Sequence, residues 1–346
     1  MKNFVFNSHL CLRERLFLSI VSKKAIYIEN IRNNSGLRNF ELNLFSLIDK
    51  ITYDSLFEIN ESGTHIKFTP GFLKHGNYFH NTIGTRALSY YLEFLIYIIP
   101  LLKEKINIKL VGIRSLKADT SLEAFAYVNM AFFRKIAGRN FRMRIMTNLI
   151  SKTKNTEVFL FCPKIISINS FSLNKLGSIL SFHIIFTTSS NLTLTYENLS
   201  TILPTNYFER EIDFKIHNFK IFNNKINFRT ITILAETSTG CILSSDSTLI
   251  DRVNSPNPWT EFYREIFSDF LEQLINGNCI DKQRQVFFLV NVINIDSKKE
   301  AEIKIKKLTL STIYFLRDTR YILGQIFKIK YLKDSKKIII KRRNRV

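Results

Sequence analysis

Leu42-Asn43-Leu44-Phe45-Ser46-Leu47-Ile48-Asp49-Lys50-Ile51, followed by Ser55 to Ile59, Glu61-Ser62-Gly63-Thr64 and Ile66 to Thr69, decides the fold class. In the first run the apolar residues return at helical spacing, which places them on one face of a helix. The next runs are short and strand-like. The polar stretch with Gly63 joins them as a hairpin, and Pro70-Gly71 closes it. The same grammar continues downstream. Lys105 to Val111 (KINIKLV) alternates like a strand and stops at Gly112. Ser121 to Lys135 reads as a helix after an Asp119-Thr120 cap, and Arg142 to Met146 and Glu157 to Phe161 read as strands. Leu88 to Leu102 (LSYYLEFLIYIIPLL) is the most apolar run. It contains Glu93 and Pro100 and falls short of the roughly 20 residues a membrane helix needs, so a buried helix is expected and no membrane partner. A unit of helix, hairpin, helix and strand recurs about every eighty residues, in pattern rather than identity. The class is α/β.

The chain has 346 residues, 45% of them hydrophobic, with 31 Phe. That length suits two compact units, and that composition excludes disorder over most of the chain. The segment 182–276 has a different grain. It carries strands at His183 to Thr188 and Thr230 to Ala235, a polar and aromatic stretch at Asn206 to Asn227, and a helix at Trp259 to Ile275. It reads as a smaller inserted α/β domain, with 1–181 and 277–332 as the two parts of the larger one. The run 333–346, KDSKKIIIKRRNRV, reads as a basic C-terminal tail: a solvated segment, a nuclear address or an RNA-gripping arm. Cys11, Cys162, Cys241 and Cys279 stand far apart with no metal-ligand spacing, which points to a reducing compartment rather than a disulfide scaffold. The N-terminus does not read as a signal peptide.

Lys plus Arg number 50 against 29 Asp plus Glu, a net charge of +21. Such an excess favours a polyanionic partner; the plain alternative is a lysine-rich proteome. Arg134, Lys135, Arg139, Arg142 and Arg144 are five basic residues within eleven. A strand at Arg142 to Met146 puts Arg142 and Arg144 on one face, away from Met143 and Ile145. This is either a stripe that tracks phosphates or a solvated face. His65, His75 and His80 lie close in sequence but lack metal-ligand spacing, so no metal is expected and loop or turn positions are. Gly-rich phosphate cradles are absent, and no cofactor is expected.

Ordered motifs then narrow the reading. They are Cys11-Leu12-Arg13-Glu14-Arg15-Leu16, Ile31-Arg32, Gly36-Leu37-Arg38-Asn39-Phe40-Glu41, Leu47-Ile48-Asp49-Lys50-Ile51-Thr52 and Ile59-Asn60-Glu61-Ser62-Gly63-Thr64. Gly112-Ile113, Asp119-Thr120-Ser121, Glu157-Val158 with Cys162-Pro163, and Ala235-Glu236-Thr237-Ser238-Thr239-Gly240 follow. Last come Gly277-Asn278-Cys279-Ile280-Asp281, Phe315-Leu316-Arg317-Asp318 and Phe327-Lys328-Ile329. The ordered set resembles the RNA 3′-terminal phosphate cyclase family over nearly the whole chain. The resemblance implies a large domain of three repeated βαβαββ-type units with a smaller inserted α/β domain.

Within that family the chain is similar to the eukaryotic cyclase-like branch. The enzymes carry nucleotide on a histidine near the C-terminus, followed by Thr-Asn; here the segment reads Leu310-Ser311-Thr312-Ile313-Tyr314-Phe315-Leu316-Arg317-Asp318, and no histidine occurs after His217. The Gly-rich run before Arg13 is also missing. Where the family has a Gly-rich loop, Lys152 to Thr156 stands; where it has Ser-Pro-Gly, Asn223 to Asn227 stands. The branch implies a non-catalytic nuclear and nucleolar protein of the small-subunit processome, needed for early pre-ribosomal RNA cleavages. It would bind a ribosome-assembly GTPase, pre-ribosomal RNA and small-subunit precursor proteins. Arg13, Arg32 and Arg38 converge in the family fold, so they are either a retained anion pocket or ion-pair partners of Glu14 and Glu41. The alternative activity is an endoribonuclease of pre-ribosomal RNA, with Arg317, Asp318 and Arg320 as its residues.

Overall fold

The computed structural model describes residues 4–83, 85–138, 144–149, 156–188, 213–220, 228–250, 258–296, 299–333 and 337–342. Arg139, Arg142, Lys152 to Asn155 and Asn223 to Asn227 lie outside the described residues. The chain is mixed α/β, with seven α-helices among the described residues.

The N-terminal unit runs β1 (Phe4–Asn7), α1 (Leu12–Ser22), β2 (Ile26–Glu29), α2 (Asn39–Ile51), β3 (Thr52–Tyr53), β4 (Leu56–Ile59), β5 (Ile66–Thr69) and β6 (Phe72–Leu73). The second runs β7 (Gly76–Asn81), α3 (Leu88–Ile98), β8 (Ile106–Gly112), α4 (Leu122–Ala137), β9 (Arg144–Leu149) and β10 (Thr156–Cys162). Then follow β11 (Phe171–Leu173), β12 (Ile179–Thr188), β13 (Asp213–Lys220), β14 (Phe228–Thr237), β15 (Ile242–Ile250) and α5 (Pro258–Ile275). The last are α6 (Gln285–Asn294), β16 (Ala301–Ile305), α7 (Leu310–Leu323), β17 (Phe327–Leu332) and β18 (Lys337–Arg342).

Four four-stranded sheets result, in the orders β1-β2-β5-β4, β7-β8-β10-β9, β11-β16-β18-β17 and β13-β12-β14-β15. Each has one parallel pair: β1 with β2, β7 with β8, β11 with β16, and β12 with β13. The remaining pairings are antiparallel. Helices α1 and α3 make the crossovers that parallel neighbours require. One apolar cluster joins the inner faces of the first three sheets to α1, α2, α3, α6 and α7, with Phe17, Ile48, Phe94, Leu110, Leu160, Leu289 and Phe315 fully or nearly fully buried. Each such side chain contributes roughly 1.5–3 kcal/mol through its burial. The fourth sheet packs Phe182, Ile184, Ile231 and Ile233 against Phe262, Phe267 and Phe270 of α5. Its other face meets α4 through Ile185, Leu234 and Val128. Two covered faces explain why β14 is buried nearly end to end.

The helix at Leu42 to Ile51, the Ser55/Thr69 hairpin, the buried Leu88 helix and the Trp259 helix all stand where the periodicity puts them. Four expectations change. First, Lys337 to Arg342 is no tail: β18 lies between β16 and β17, and Ile340 is fully buried. Ile338, Ile339 and Ile340 complete the sheet, an apolar run masked by the surrounding charge. Second, α4 is capped by Ser121, whose Oγ accepts from the Ala124 N–H at 3.1 Å. Asp119 instead accepts from the Ala87 N–H at 2.7 Å and pairs with Arg86 at 2.5 Å. Third, His80 sits buried in β7 rather than in a loop. Burial, with Lys50 beside it, pushes its pKa down to about 4. Fourth, the strand expected at Arg142 to Met146 is described from Arg144 and extends to Leu149.

Candidate anion site and nucleic-acid interface

The parallel pair β1/β2 ends in two irregular loops, the position where α/β sheets present ligands. Ser8, Cys11, Asn30 and Arg32 all take positive φ there, at 77°, 57°, 54° and 42°. The second loop is tightened by Arg32, whose carbonyl accepts from the Ser35 and Gly36 N–H groups at 2.8 and 2.9 Å. Gly36 has φ 57°, and a Cβ on it would stand 2.4 Å from the Ser62 carbonyl. Only glycine lets this loop lie against the Asn60–Thr64 turn. Between the loops opens a cleft of about 530 Å³, lined by Ser8, His9, Asn30, Arg32, Asn33, Asn34 and Ser35. Partial burial and the nearby Arg32 lower the His9 pKa, which favours a neutral ring.

The arginines around this cleft are mostly engaged. Arg32 grips Glu41 with both nitrogens, at 2.8 and 2.7 Å, and donates to the Gly36 carbonyl at 3.0 Å. Glu41 also accepts from the Arg38 N–H at 2.8 Å, closing the first turn of α2. The Arg38 side chain is exposed, acts on His9 through its charge, and has no ion pair among the described residues. Arg13 turns the other way. It pairs with Glu93, donates to the Tyr90 carbonyl at 3.0 Å and lies over the Tyr90 ring at 4.4 Å. Burial opposes its charge, but Glu93 and Glu14 hold its pKa well above the ordinary arginine value. The three arginines therefore do not form one pocket: Arg32 lines the cleft, Arg38 is exposed at the start of α2, and Arg13 braces α1 against α3.

Asp318 is buried on α7. Its carboxylate meets Arg15 Nε at 2.8 Å, a pair 303 residues apart. Arg15 also donates to the Ser8 carbonyl at 2.6 Å, so the pair ties the β1 end to α7. Burial raises the Asp318 pKa and Arg15 opposes the rise. Arg317 and Arg320 are exposed. At about 100° per residue they share a face that Asp318 does not. Among the described residues no cluster of three or more His, Cys, Asp or Glu could hold a metal ion. No described helix is long and apolar enough to cross a membrane.

Arg134, Lys135 and Arg144 are exposed, and Lys135 donates to the Thr239 carbonyl at 3.1 Å. Arg144 opens β9, whose partner β10 reads Thr156-Glu157-Val158-Phe159-Leu160-Phe161-Cys162. Val158, Leu160 and Cys162 are buried, while Phe159 and Phe161 lie on the opposite, half-exposed face. Sequence reading passed over these two rings. The signal was available: in a period-2 strand they sit on the parity opposite the core set.

The fold and the cleft define a mixed α/β scaffold whose loops gather arginines at a sheet end. The family model described as RNA 3′-terminal phosphate cyclase matches residues 4–329, and the chain belongs to this family. It is similar to the probable RNA 3′-terminal phosphate cyclase-like protein of Dictyostelium discoideum, 28% identical over 98% of this chain and 96% of that protein. The RNA 3′-terminal phosphate cyclase-like protein of Homo sapiens is 27% identical over 92% and 88%. The rRNA processing protein RCL1 of Saccharomyces cerevisiae is 30% identical over 40% and 38%.

Proposed function

We propose that this chain is a non-catalytic assembly factor in ribosomal RNA processing. In this reading it acts in the nucleolus within the small-subunit processome, is required for early pre-ribosomal RNA cleavages, and binds a ribosome-assembly GTPase and pre-ribosomal RNA. The observation that carries it is α7, the segment that in the enzymes of the family presents the nucleotide-carrying histidine. Here its first half is Leu310-Ser311-Thr312-Ile313-Tyr314-Phe315. Its one carboxylate in the Arg317-Asp318 motif is already held by Arg15. A covalent nucleotide needs a nitrogen nucleophile at that place, and none of these side chains supplies one. The name of the yeast relative supports the rRNA side of the reading. The chain is further read as three βαβαββ units with a small domain inserted between β11 and α6. The shared strand order of the first three sheets supports that division.

Two measurements test the proposal. Affinity purification of the tagged chain at moderate salt is expected to recover a ribosome-assembly GTPase with small-subunit precursor RNA. Recovery of the chain alone would overturn the assembly reading. Incubation with radiolabelled ATP is expected to leave no acid-labile adduct; a labelled adduct would restore cyclase chemistry and direct attention to His9 in the cleft.

A further inference from the structure

The outer face of the sheet β7-β8-β10-β9 carries three phenylalanine rings, Phe79, Phe159 and Phe161. Its inner face is apolar and buried, through Ile108 and Leu110 of β8 and Val158 and Leu160 of β10. Two adjacent rows on its outer face hold these rings. In register, the first is Phe79, Lys109, Phe159 and Met146, and the second is Asn77, Asn107, Phe161 and Arg144. Phe79 is 51% exposed and Met146 50%. The rings of Phe159 and Phe161 lie parallel, 7° apart in plane with centroids separated by 6.2 Å. Lys109 Nζ lies 5.8 Å from the Phe79 ring and 5.2 Å from the Phe159 ring.

Three phenylalanines on the parity that faces water are not placed there for the core, because the buried parity already fills it. The matching face of β11-β16-β18-β17 carries Lys304, Lys328, Lys330 and Lys341 and no phenylalanine. That face is the more basic of the two; what sets β7-β8-β10-β9 apart is its π-faces. We propose that the outer face of β7-β8-β10-β9 is a platform for unpaired RNA. Two or three consecutive bases stack on Phe161, Phe159 and Phe79, as exposed aromatics on four-stranded sheets allow. Arg144 takes a phosphate, and the Asn77 and Asn107 amides meet base edges. The carboxylate on the face, Glu157, is held by Lys109 at 2.6 Å, and a chain of net charge +21 draws a polyanion rather than an acidic-poor apolar partner. Duplex RNA keeps its bases stacked inside and offers nothing to these rings. The inference rests on the preceding reading only in taking RNA as the partner.

The test is fluorescence anisotropy on the full chain with a short labelled oligouridylate and with an RNA duplex of equal length. Wild type is expected to prefer the single strand. Phe159→Leu with Phe161→Leu keeps apolar volume and removes the rings. It is expected to weaken single-strand binding about tenfold or more while leaving duplex binding unchanged. Phe79→Leu, on the exposed edge strand, gives an independent smaller loss should the double variant unfold. Single-strand affinity unaltered in these variants overturns the platform and leaves the RNA reading standing. Preference for the duplex overturns it too. No binding of either RNA by wild type overturns both. Loss of a co-purifying protein from the leucine variants, with RNA binding intact, overturns it in favour of a protein contact.

Discussion

The cleft at the ends of β1 and β2 and the outer face of β7-β8-β10-β9 treat cations in opposite ways. Around the cleft, Arg15 and Arg32 find carboxylates and backbone oxygens within hydrogen-bond distance, and Arg13 does the same behind it. Their charge is neutralised inside the fold. On the sheet face, Arg144 is exposed, and Lys109, paired with Glu157, stands between aromatic rings. The most recognisable arginines of the sequence therefore hold the scaffold together. The rings open to a partner sit in β7 and β10, and those of β10 lie between Glu157-Val158 and Cys162-Pro163, the residues that the motif marks. A bidentate buried pair satisfies its donors only when the partner is fixed by the fold, whereas an aromatic face needs only to be left uncovered.

Breaking the cleft side of this comparison carries the largest expected effect. Asp318→Ala leaves the buried Arg15 guanidinium without its partner and is expected to cost about 3–5 kcal/mol in denaturant unfolding. A change below about 1 kcal/mol would mean that the pair is not structural. This also bears on any nuclease assay. Loss of cleavage in Asp318→Ala would report instability as readily as chemistry, so Arg317→Ala is the cleaner variant.

A looser pair sharpens the comparison. Asp246 of β15 is buried and accepts from the Ser121 N–H at 2.5 Å, but its nearest approach to Arg284 is 4.0 Å. Burial, only partly opposed by Arg284, pushes its pKa up to about 6. The folded chain then holds a proton that the unfolded chain releases, between the usual carboxylate range near 4 and about 6. In this window the site's contribution is present at low pH and is lost as pH rises. Asp246→Asn is expected to flatten that slope, an effect of about 3 kcal/mol across the window. Unfolding midpoints taken at a series of pH values check it; an unchanged slope would mean that Asp246 is ionised throughout.

The smallest effects belong to the exposed arginines. Arg317→Ala and Arg320→Ala are each expected to shift stability by no more than about 0.5 kcal/mol. A thermal shift comparable to that of Asp318→Ala would show that α7 is held by its outer face as well.

Much of this was legible beforehand. The hairpin at Glu61 to Thr64 and the helix at Leu42 to Ile51 follow from turn chemistry and periodicity, which are local. Lys337 to Arg342 was misread because counting charge ignores three consecutive isoleucines between the basic residues. The Asp119 cap was misread because a carboxylate before a helix can satisfy another segment's N–H, here that of Ala87. The pairing of Glu41 with Arg32 was one of two open readings, and the short sequence separation kept it in view.

By itself the sequence determined the α/β class, most element positions, the basic excess and the family, because spacing and motif order are properties of neighbouring residues. Only the tertiary structure decided that Arg15 meets Asp318, that Ile340 lies at a sheet centre, and that Phe159 and Phe161 face outward beside Phe79. Alternation tells which residues share a face. Whether that face is covered, and by what, depends on segments brought together from far along the chain.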